Sequence, residues 1–470
     1  MPLRIALPRR DGDLSHRDAP SGGDLGRSPG GLPSPHLGGD SAAAHRELNG
    51  GTGGARGKRN GPFRALRHRR FAIFWVAAAL STTGTWLSNL AVPFVIFEMT
   101  HSATWVGIAA AAQFIPNVLM GPLGGAWADR FDRRKVLLAT QMGGSIAALL
   151  LYVVVSSGTQ NAWLVILPVA LQGLFTGLNM PSWQALVHDL VPREDIQSAV
   201  TLNTMQFNVG RALGPAIAGV LIGTLGTGPA FLLNSVSFFC VLFALIVIGG
   251  GARRALARPR ISALRSFGTA LTYIRHQRGI SVAIMVSLAI GAFFNPVFNL
   301  TIILATTVYE TGGMKLGIMT AAAGVGALLA GPLVAASRQP LSRVVLVGML
   351  AVGLAVLALG AVQDYTAAVV ALFAAGAGFL AVSAGVNTAI QLIVSDRMRG
   401  SVIAVRIMLY TSSMAAGALV MGAIADWLGV RQSLMLAGGA LLVLGALLFV
   451  RPGAAVGRLD DPHDGSQEAP

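Results

Sequence analysis

The stretch GPLGGAWADRFDRRK (Gly121–Lys135) contains the transition that decides the fold. It closes an apolar run rich in glycine and proline, and charged residues then occupy six of the seven positions from Asp129 to Lys135. A change from an apolar segment to a basic loop is typical of the end of a membrane-spanning helix. The acid Asp129 is not needed for that purpose, because Asp and Glu contribute little to membrane orientation.

The composition of the whole chain agrees with a membrane protein. Of its 470 residues, 53% are hydrophobic and only 12% are charged, whereas soluble domains carry about 25% charged residues. The formal net charge of +15 would suit a nucleic-acid partner if the basic residues were clustered on one surface. They lie instead in tails and short loops between apolar segments, so we expect a lipid bilayer and no nucleic acid as partner.

Several classes of protein are excluded by the reactive residues. The chain has one cysteine, Cys240, inside an apolar run, and its eight histidines fall in tails, loops or helix ends. This pattern supports neither a disulfide framework nor a metal site. The phosphate-binding sequence of ATP-driven pumps, G-x-x-x-x-G-K-[ST], is missing. We therefore expect no enzyme, no cofactor and no metal.

Twelve apolar segments are long enough to cross a bilayer, which takes about 20 helical residues. They are placed near 71–98, 104–127, 136–156, 162–187, 197–225, 229–250, 279–309, 314–336, 343–362, 366–394, 401–427 and 431–450. The longest connection divides them six and six. The predicted organisation is a disordered cytoplasmic tail 1–62, a bundle 63–250, a linker 251–278, a second bundle 279–450 and a tail 451–470.

The distribution of Lys and Arg predicts the orientation. If the N-terminus is cytoplasmic, all 35 of these residues except Lys315, Arg431, Arg211 and Arg406 lie in cytoplasmic tails and loops. Cytoplasmic loops carry an excess of Lys and Arg. We therefore predict a multi-pass protein of the cell membrane with both termini in the cytoplasm.

The linker contains SALRSFGTALTYIRHQ (Ser262–Gln277), in which apolar residues recur at helical spacing. The stripe consists of Leu264, Phe267, Leu271 and Ile274. This spacing predicts an amphipathic helix along the inner membrane surface. A linker with a single helical turn is an equally open interpretation.

The two halves contain related segments. At a constant offset of 210, Gly107–Ile108 aligns with Gly317–Ile318, and Gly121–Leu123 aligns with Gly331–Leu333. Parallel repeats of this kind are typical of two-bundle transporters with a site between the halves.

The segment GAWADRFDRRK (Gly125–Lys135) resembles the loop 2–3 signature of the major facilitator superfamily, G-x-x-x-D-R-x-G-R-[RK]. The matching positions are Gly125, Asp129, Arg130, Arg133 and Arg134. Asp132 departs from the glycine that the wider superfamily prefers. DRFDRR is instead similar to the drug- and siderophore-exporter branch that contains the enterobactin exporter.

A second segment, Asn179–Gly219, resembles the helix 4–5 region of the same branch. It carries N-x-x-R-x-x-G-P-x-x-x-G at Asn208, Arg211, Gly214, Pro215 and Gly219. In exporters this signature marks a kinked, glycine-lined helix against the opposite bundle. The resemblance covers about 63–450 and implies an all-α fold of twelve helices in two bundles. It also implies a monomer that moves a siderophore or a lipophilic drug outward by alternating access, with protons as coupling partner.

Asp129 and its neighbours in the signature are candidate gating residues. The neighbours are Gly125, Arg130, Arg133 and Arg134. A topology signal alone would explain the arginines. An Asp at the inner end of span 2 can also form charge-assisted hydrogen bonds that hold two bundles together. In the second-half repeat this position is Gln339, whereas a topology signal needs only basic residues in both halves. The asymmetry favours a latch.

Arg211 lies fourteen residues after the start of span 5, about 21 Å along a helix and so near mid-membrane. A charge there is costly unless it faces water or a partner. No Asp or Glu lies in the middle of any predicted span. Its partners would be carbonyls, amides, water or an anionic cargo, and a structural role stays open.

Polar residues at membrane depth are candidates for a substrate cavity. They are Asn89, Gln113, Gln172, Asn179, Asn203, Gln206, Asn295, Asn299, Asn387, Gln391 and Tyr410. Each can equally be an interhelical hydrogen bond. The segment FFNPVFNL (Phe293–Leu300) is the strongest of them, because Pro296 frees a backbone carbonyl beside two amides and several aromatics.

The sequence therefore favours a secondary exporter of a small amphipathic molecule. Uptake or transport of another substrate by the same fold is the alternative, and a membrane sensor that does not transport is a weaker one. Proton antiport follows only from the resemblance, since Asp129, Glu98 and Glu310 are the only acids placed to carry a proton.

Overall fold

The computed structural model describes residues 63–249, 263–450 and Leu459. The predicted tails 1–62 and 451–470 and the start of the linker lie outside these residues, apart from Leu459. Within them, twelve helices are long and apolar enough to cross a membrane. They are α1 Arg69–Thr100, α2 Ala103–Arg130, α3 Arg133–Ser156, α4 Ala162–Asp189, α5 Ile196–Leu225, α6 Gly228–Ile248, α7 Arg278–Thr307, α8 Gly313–Ala336, α9 Leu341–Ala361, α10 Tyr365–Ile393, α11 Asp396–Leu428 and α12 Val430–Val450.

The all-helical architecture follows from the solvent. In hydrocarbon every backbone N–H and C=O needs an internal partner, and a continuous helix provides one. Short polar residues mark several helix starts: the side chains of Ser102, Asp132, Asn161 and Asp364 accept hydrogen bonds from the first turns of α2, α3, α4 and α10. The prediction of twelve spans is confirmed, with ends shifted by only a few residues.

The helices pair in the same way in both halves. In the first half α2 packs against α4, and α3 packs against α4 and α6. In the second half α8 packs against α10, and α9 packs against α10 and α12. This is the pairing expected of two parallel copies of one six-helix bundle.

The bundles meet mainly through two helix pairs, α2 with α11 and α5 with α8, and α7 makes smaller contacts with α1 and α2. At the predicted outer end these pairs are in backbone contact, because Gly107 lies against Ala418, Gly422 against Ala103 and Gly219 against Gly317. At the predicted inner end of α2, a side chain added at Gly125 would meet no atom within 4 Å. The bundles are therefore in close contact at the predicted outer end, and Gly125 at the predicted inner end of α2 takes no part in such a contact.

Helix α7 is irregular where the sequence places FFNPVFNL. The segment Ile290–Phe294 is a π-helical turn between two α-helical parts, and Asn295 and Pro296 follow it directly. Such wide turns occur frequently at functional sites. Gly291 within the turn allows close approach to Tyr410 and Ser413 of α11.

A fourteen-residue helix, Ala263–His276, precedes α7 and lies beside α11. Its buried face consists of Ala270 and Ile274, and Phe267 and Leu271 are half-buried.

Candidate functional site

In the middle of α5, the guanidinium of Arg211 is surrounded by aromatic rings. The guanidinium carbon of Arg211 on α5 lies 4.6 Å from the ring centre of Phe379, 5.0 Å from that of Phe298 and 5.3 Å from that of Trp86. Trp86 belongs to α1 of the first bundle, whereas Phe298 on α7 and Phe379 on α10 belong to the second. Attraction between the cation and the ring faces therefore acts across the bundle interface.

Within the described part of the chain, Arg211 has no carboxylate partner and no hydrogen bond. The three ion pairs found there all lie at the predicted inner end of the first bundle and involve Asp189 or Asp195. A guanidinium has five N–H donors, and ring faces satisfy none of them in the directional manner of an acceptor oxygen. The site can therefore accept an anionic or strongly hydrogen-bonding group.

The part of the site that the second bundle forms contains both aromatic and polar side chains. Phe294 stacks on Phe379 with ring centres 5.1 Å apart. One residue later, Asn295 donates its amide N–H to the hydroxyl of Tyr410 on α11, at 2.7 Å. Tyr410 is also within electrostatic reach of Arg211. The π-helical turn in α7 thus places Asn295 and the Phe298 ring on the side that faces the Arg211 interface.

Most of the other predicted cavity amides are paired within one bundle. Gln113 donates to Asn89, Thr140 to Asn179, Trp183 to Asn203, Gln206 to Thr82 and Arg406 to Asn387. Gln172 is buried with an unpartnered amide nitrogen, Asn299 is half-buried and Gln391 is exposed. The structure therefore brings Asn295, Tyr410 and Arg211 together, whereas the paired amides hold neighbouring helices.

The helix-5 residues take separate places along α5. Asn208 donates to the Thr204 carbonyl of its own helix at 3.2 Å. Gly214 gives room to Trp86, and Gly219 to the backbone of α8. Pro215 lies within the helix between them, and its carbonyl approaches Gly317. The motif therefore fits α5 against both α1 and α8 around Arg211.

The residues of the opening stretch divide into two groups. Arg133 forms an ion pair with Asp189 at 2.6 Å, and Arg134 donates to the Leu245 carbonyl at 2.6 Å, so both hold α3 against other helices of the first bundle. Asp132 accepts from the Arg134 N–H and caps α3, which gives its departure from glycine a structural reason.

The second group is exposed. Asp129 and Arg130 are open to solvent, and neither has a hydrogen-bond partner among the described residues.

Several residues that are important to this geometry were not predicted from the sequence. Trp86 and Phe379 carried no signal, because an aromatic residue in an apolar helix is most often ordinary packing. Phe298 lay inside the singled-out segment FFNPVFNL without being selected. Asp426 near the end of α11 was not selected, yet its carboxylate joins the two bundles through Ser102 and Ala103. Among the described residues no group of three or more His, Cys, Asp or Glu side chains could hold a metal ion.

Comparison with known proteins identifies the family to which the chain belongs. The model of a family described as "Transmembrane secretion effector", a branch of the major facilitator superfamily, matches residues 60–461. The chain belongs to the major facilitator superfamily. It is a membrane transporter and not an enzyme, and its family and relatives support the efflux-like branch.

Relatives from bacteria agree. The MFS-type transporter YfiS of Bacillus subtilis is 23% identical over 387 residues, which cover 79% of this chain and 90% of YfiS. The multidrug resistance protein MdtG of Enterobacter lignolyticus is 33% identical over 190 residues, covering 38% of this chain and 43% of MdtG. The staphyloferrin A transporter of Staphylococcus aureus is 27% identical over 167 residues, which cover 35% of this chain and 42% of that transporter. The latter two matches span less than half of either protein.

Among solved structures, a mutant of the nucleoside transporter NupG superposes with a TM-score of 0.67 over 80% of this chain and 98% of its own, at 13% identity. At that identity the likeness shows the fold alone.

Proposed function

We propose that the protein exports a small amphipathic molecule from the cytoplasm by alternating access, and that the cargo carries an aromatic part and an acidic or strongly hydrogen-bonding part. The single observation that carries this proposal is Arg211. It is a cation at the bundle interface, surrounded by Trp86, Phe298 and Phe379 and without a carboxylate partner among the described residues.

The chemistry of the site narrows the cargo. Apolar aromatic rings with a few polar groups are typical of small-molecule sites. A cationic drug would meet the Arg211 charge at short range in a low-dielectric region, where like charges repel strongly. Acidic siderophores and neutral or acidic lipophilic drugs fit better. Among the relatives, the staphyloferrin A transporter is named for a siderophore, and MdtG and the macrolide efflux protein are named for drugs.

Arg211 also suits a cycle in which the bundles rock. It comes from the first bundle, and two of its three rings come from the second. Such an interface has two arrangements, and a cargo that binds one better than the other shifts their populations. In the proposed cycle we take this state to be the one that is open at the inner end, where an exporter would receive its cargo.

In this cycle we assign the closure of the inner end to Asp129. It is exposed and unpartnered at the end of α2, and it would accept charge-assisted hydrogen bonds from the second bundle when that end closes. Arg130 is exposed beside it, and Arg133 and Arg134 keep the base of the latch fixed to α4 and α6. Proton antiport supplies the driving force in this proposal.

An efflux assay tests the proposal with defined probes. Cells that express the protein are loaded with carboxyfluorescein, which is aromatic and anionic, or with ethidium, which is aromatic and cationic. We expect cells with the protein to lose carboxyfluorescein faster than cells with the empty vector. The two kinds of cell should lose ethidium at nearly the same rate. Collapse of the pH gradient should abolish the difference. Carboxyfluorescein efflux equal to the empty vector would contradict the cargo class, and efflux insensitive to the gradient would contradict the coupling.

Variants at Arg211 test whether efflux depends on the proposed site. Arg211→Met removes the charge at similar length, and Arg211→Lys keeps it but loses the planar group that stacks on rings. Expected efflux falls in the order wild type, Arg211→Lys, Arg211→Met. Arg406→Met is the matched control, because Arg406 is also a half-buried arginine in a span but bonds to Asn387 within the second bundle. Equal losses in Arg211→Met and Arg406→Met would remove the reason for placing cargo at Arg211.

A further inference from the structure

The predicted outer end of the interface is joined by one carboxylate. Asp426, near the end of α11, accepts hydrogen bonds from the Ser102 hydroxyl at 2.6 Å, the Ala103 N–H at 2.6 Å and the Thr104 N–H at 2.9 Å. These three donors form the start of α2, where backbone N–H groups have no partner within the helix. A carboxylate is favoured at this position by the helix dipole and by charge-assisted hydrogen bonds.

The contact joins the two bundles, since α2 belongs to the first and α11 to the second. Below it, Gly422 lies against the backbone of Ala103, and Gly107 lies against Ala418. Small residues therefore bring the helices close enough for the carboxylate to reach. Asp426 is exposed at the surface, so water can replace its partners when the bundles separate.

The sequence around Asp426 repeats the inner-end signature. At a constant offset of 297, GAWADRFDRR (Gly125–Arg134) aligns with GAIADWLGVR (Gly422–Arg431). The two segments share Gly-Ala-x-Ala-Asp and the final Arg. This correspondence joins the end of α2 to the end of α11, unlike the offset of 210, which joins α2 to α8.

The aligned arginines occupy equivalent places in the structure. Arg134, at the start of α3, donates to the Leu245 carbonyl near the end of α6 at 2.6 Å. Arg431, at the start of α12, donates to the Val362 carbonyl at the end of α9 at 2.8 Å. In each bundle the arginine thus fixes the base of the loop, and the acid five residues earlier projects from the end of the preceding helix.

We infer that Asp426 is the outer latch of the transport cycle: its carboxylate holds the predicted outer end closed by capping α2, and it must release α2 before cargo can leave outward. Arg431 is a positioning residue for this latch through its bond to α9. The inference rests on the alternating-access cycle proposed above, and it does not depend on the identity of the cargo.

The test measures access to the central site from each side of the membrane. A single cysteine is introduced at Asn299, the half-buried residue of α7 that follows Phe298 of the site, in a Cys240→Ser background and labelled with a membrane-impermeant maleimide. Labelling is followed in intact cells and in inverted vesicles. For Asp426→Asn we expect the rate from the outside to rise about tenfold, which corresponds to about 1.4 kcal/mol, and the rate from the inside to fall. Ser102→Ala removes one donor and should give a smaller change in the same directions.

Asp364→Asn is the matched control. Asp364 is a carboxylate at the same predicted end and also caps a helix, but it accepts from Ala367 in the same helix, α10, and so within one bundle. Its variant should leave both rates unchanged. An outside rate in Asp426→Asn no higher than in Asp364→Asn would overturn the inference, and so would a rise on both sides. Because no transported substrate is used, these results are independent of whether carboxyfluorescein is exported.

Discussion

A substitution at Gly219 examines the contact between α5 and α8. A Cβ atom at this position would lie 2.5 Å from the Gly313 carbonyl oxygen, 2.5 Å from the Gly317 Cα and 2.8 Å from the Gly317 N. All three atoms belong to the backbone of α8, so they cannot rotate away as a side chain would. In Gly219→Ala the helices must therefore separate by about 1 Å, and overpacking of this kind costs about 1–3 kcal/mol.

The cost falls on one state of the cycle. In the proposed cycle α5 and α8 touch here only while the predicted outer end is closed, so we expect Gly219→Ala to destabilise that state relative to the outward-open one. A difference of about 1–3 kcal/mol changes the ratio of the two states about 5- to 150-fold. The measurement is again the outside labelling rate of a cysteine at Asn299, which should rise by a factor in this range.

Gly223→Ala provides the control for this prediction. Gly223 lies one turn further along the same helix and has the same residue type, but its nearest neighbour to an added Cβ is the Met314 N at 3.4 Å. That distance is ordinary contact, so the labelling rate should stay at the wild-type value. If Gly219→Ala and Gly223→Ala behave alike, the close α5–α8 contact does not control opening.

Three further predictions concern single side chains. Asp129→Asn should abolish carboxyfluorescein efflux while expression measured by immunoblot stays normal, and full efflux would refute the inner latch. Asp132→Ala should destabilise the protein by about 1 kcal/mol through loss of the α3 cap, and Asp132→Gly by less; melting temperatures in detergent measure both, and an unchanged value for Asp132→Ala would contradict the cap. Tyr410→Phe removes the acceptor of the Asn295 amide at 2.7 Å and should weaken carboxyfluorescein binding several-fold in a fluorescence titration, whereas an unchanged affinity would place Tyr410 outside the site.

The fold was predictable because membrane helices follow simple rules. Length, apolar composition and the distribution of Lys and Arg are each properties of the sequence itself. The segments 162–187 and 314–336 illustrate this, since the corresponding helices are Ala162–Asp189 and Gly313–Ala336. No comparable rule predicts where a membrane helix becomes irregular. The π-helical turn Ile290–Phe294 was therefore not predicted.

The site was predictable only in part. Arg211 stood out because a charge in mid-membrane is rare, and Asn295 because it adjoins a proline in a span. The rings of Trp86 and Phe379 were not predictable, because which face of an apolar helix points to the interface depends on packing. Likewise, an amide such as Asn203 gives no sign in the sequence that it will bond to Trp183 within the same bundle.

The outer latch shows a different limit. Its signal, the likeness of Gly422–Arg431 to Gly125–Arg134, was present in the sequence. It joins the ends of two helices that are not equivalent in the six-plus-six repeat, so an alignment of one half on the other does not reveal it. Only the contact of Asp426 with the start of α2 gives the likeness its meaning.

The most direct test of the central claim is accumulation of carboxyfluorescein in inverted membrane vesicles, where outward export becomes movement into the lumen. With a pH gradient of the physiological sense, vesicles that contain the wild-type protein should accumulate the dye. Vesicles with Arg211→Met should lose at least nine-tenths of that accumulation, as expected for loss of charged hydrogen bonds worth about 1.5–3 kcal/mol, and vesicles with Arg406→Met should retain it. No accumulation with the wild type, or equal accumulation with Arg211→Met, would contradict an exporter that binds its cargo at Arg211.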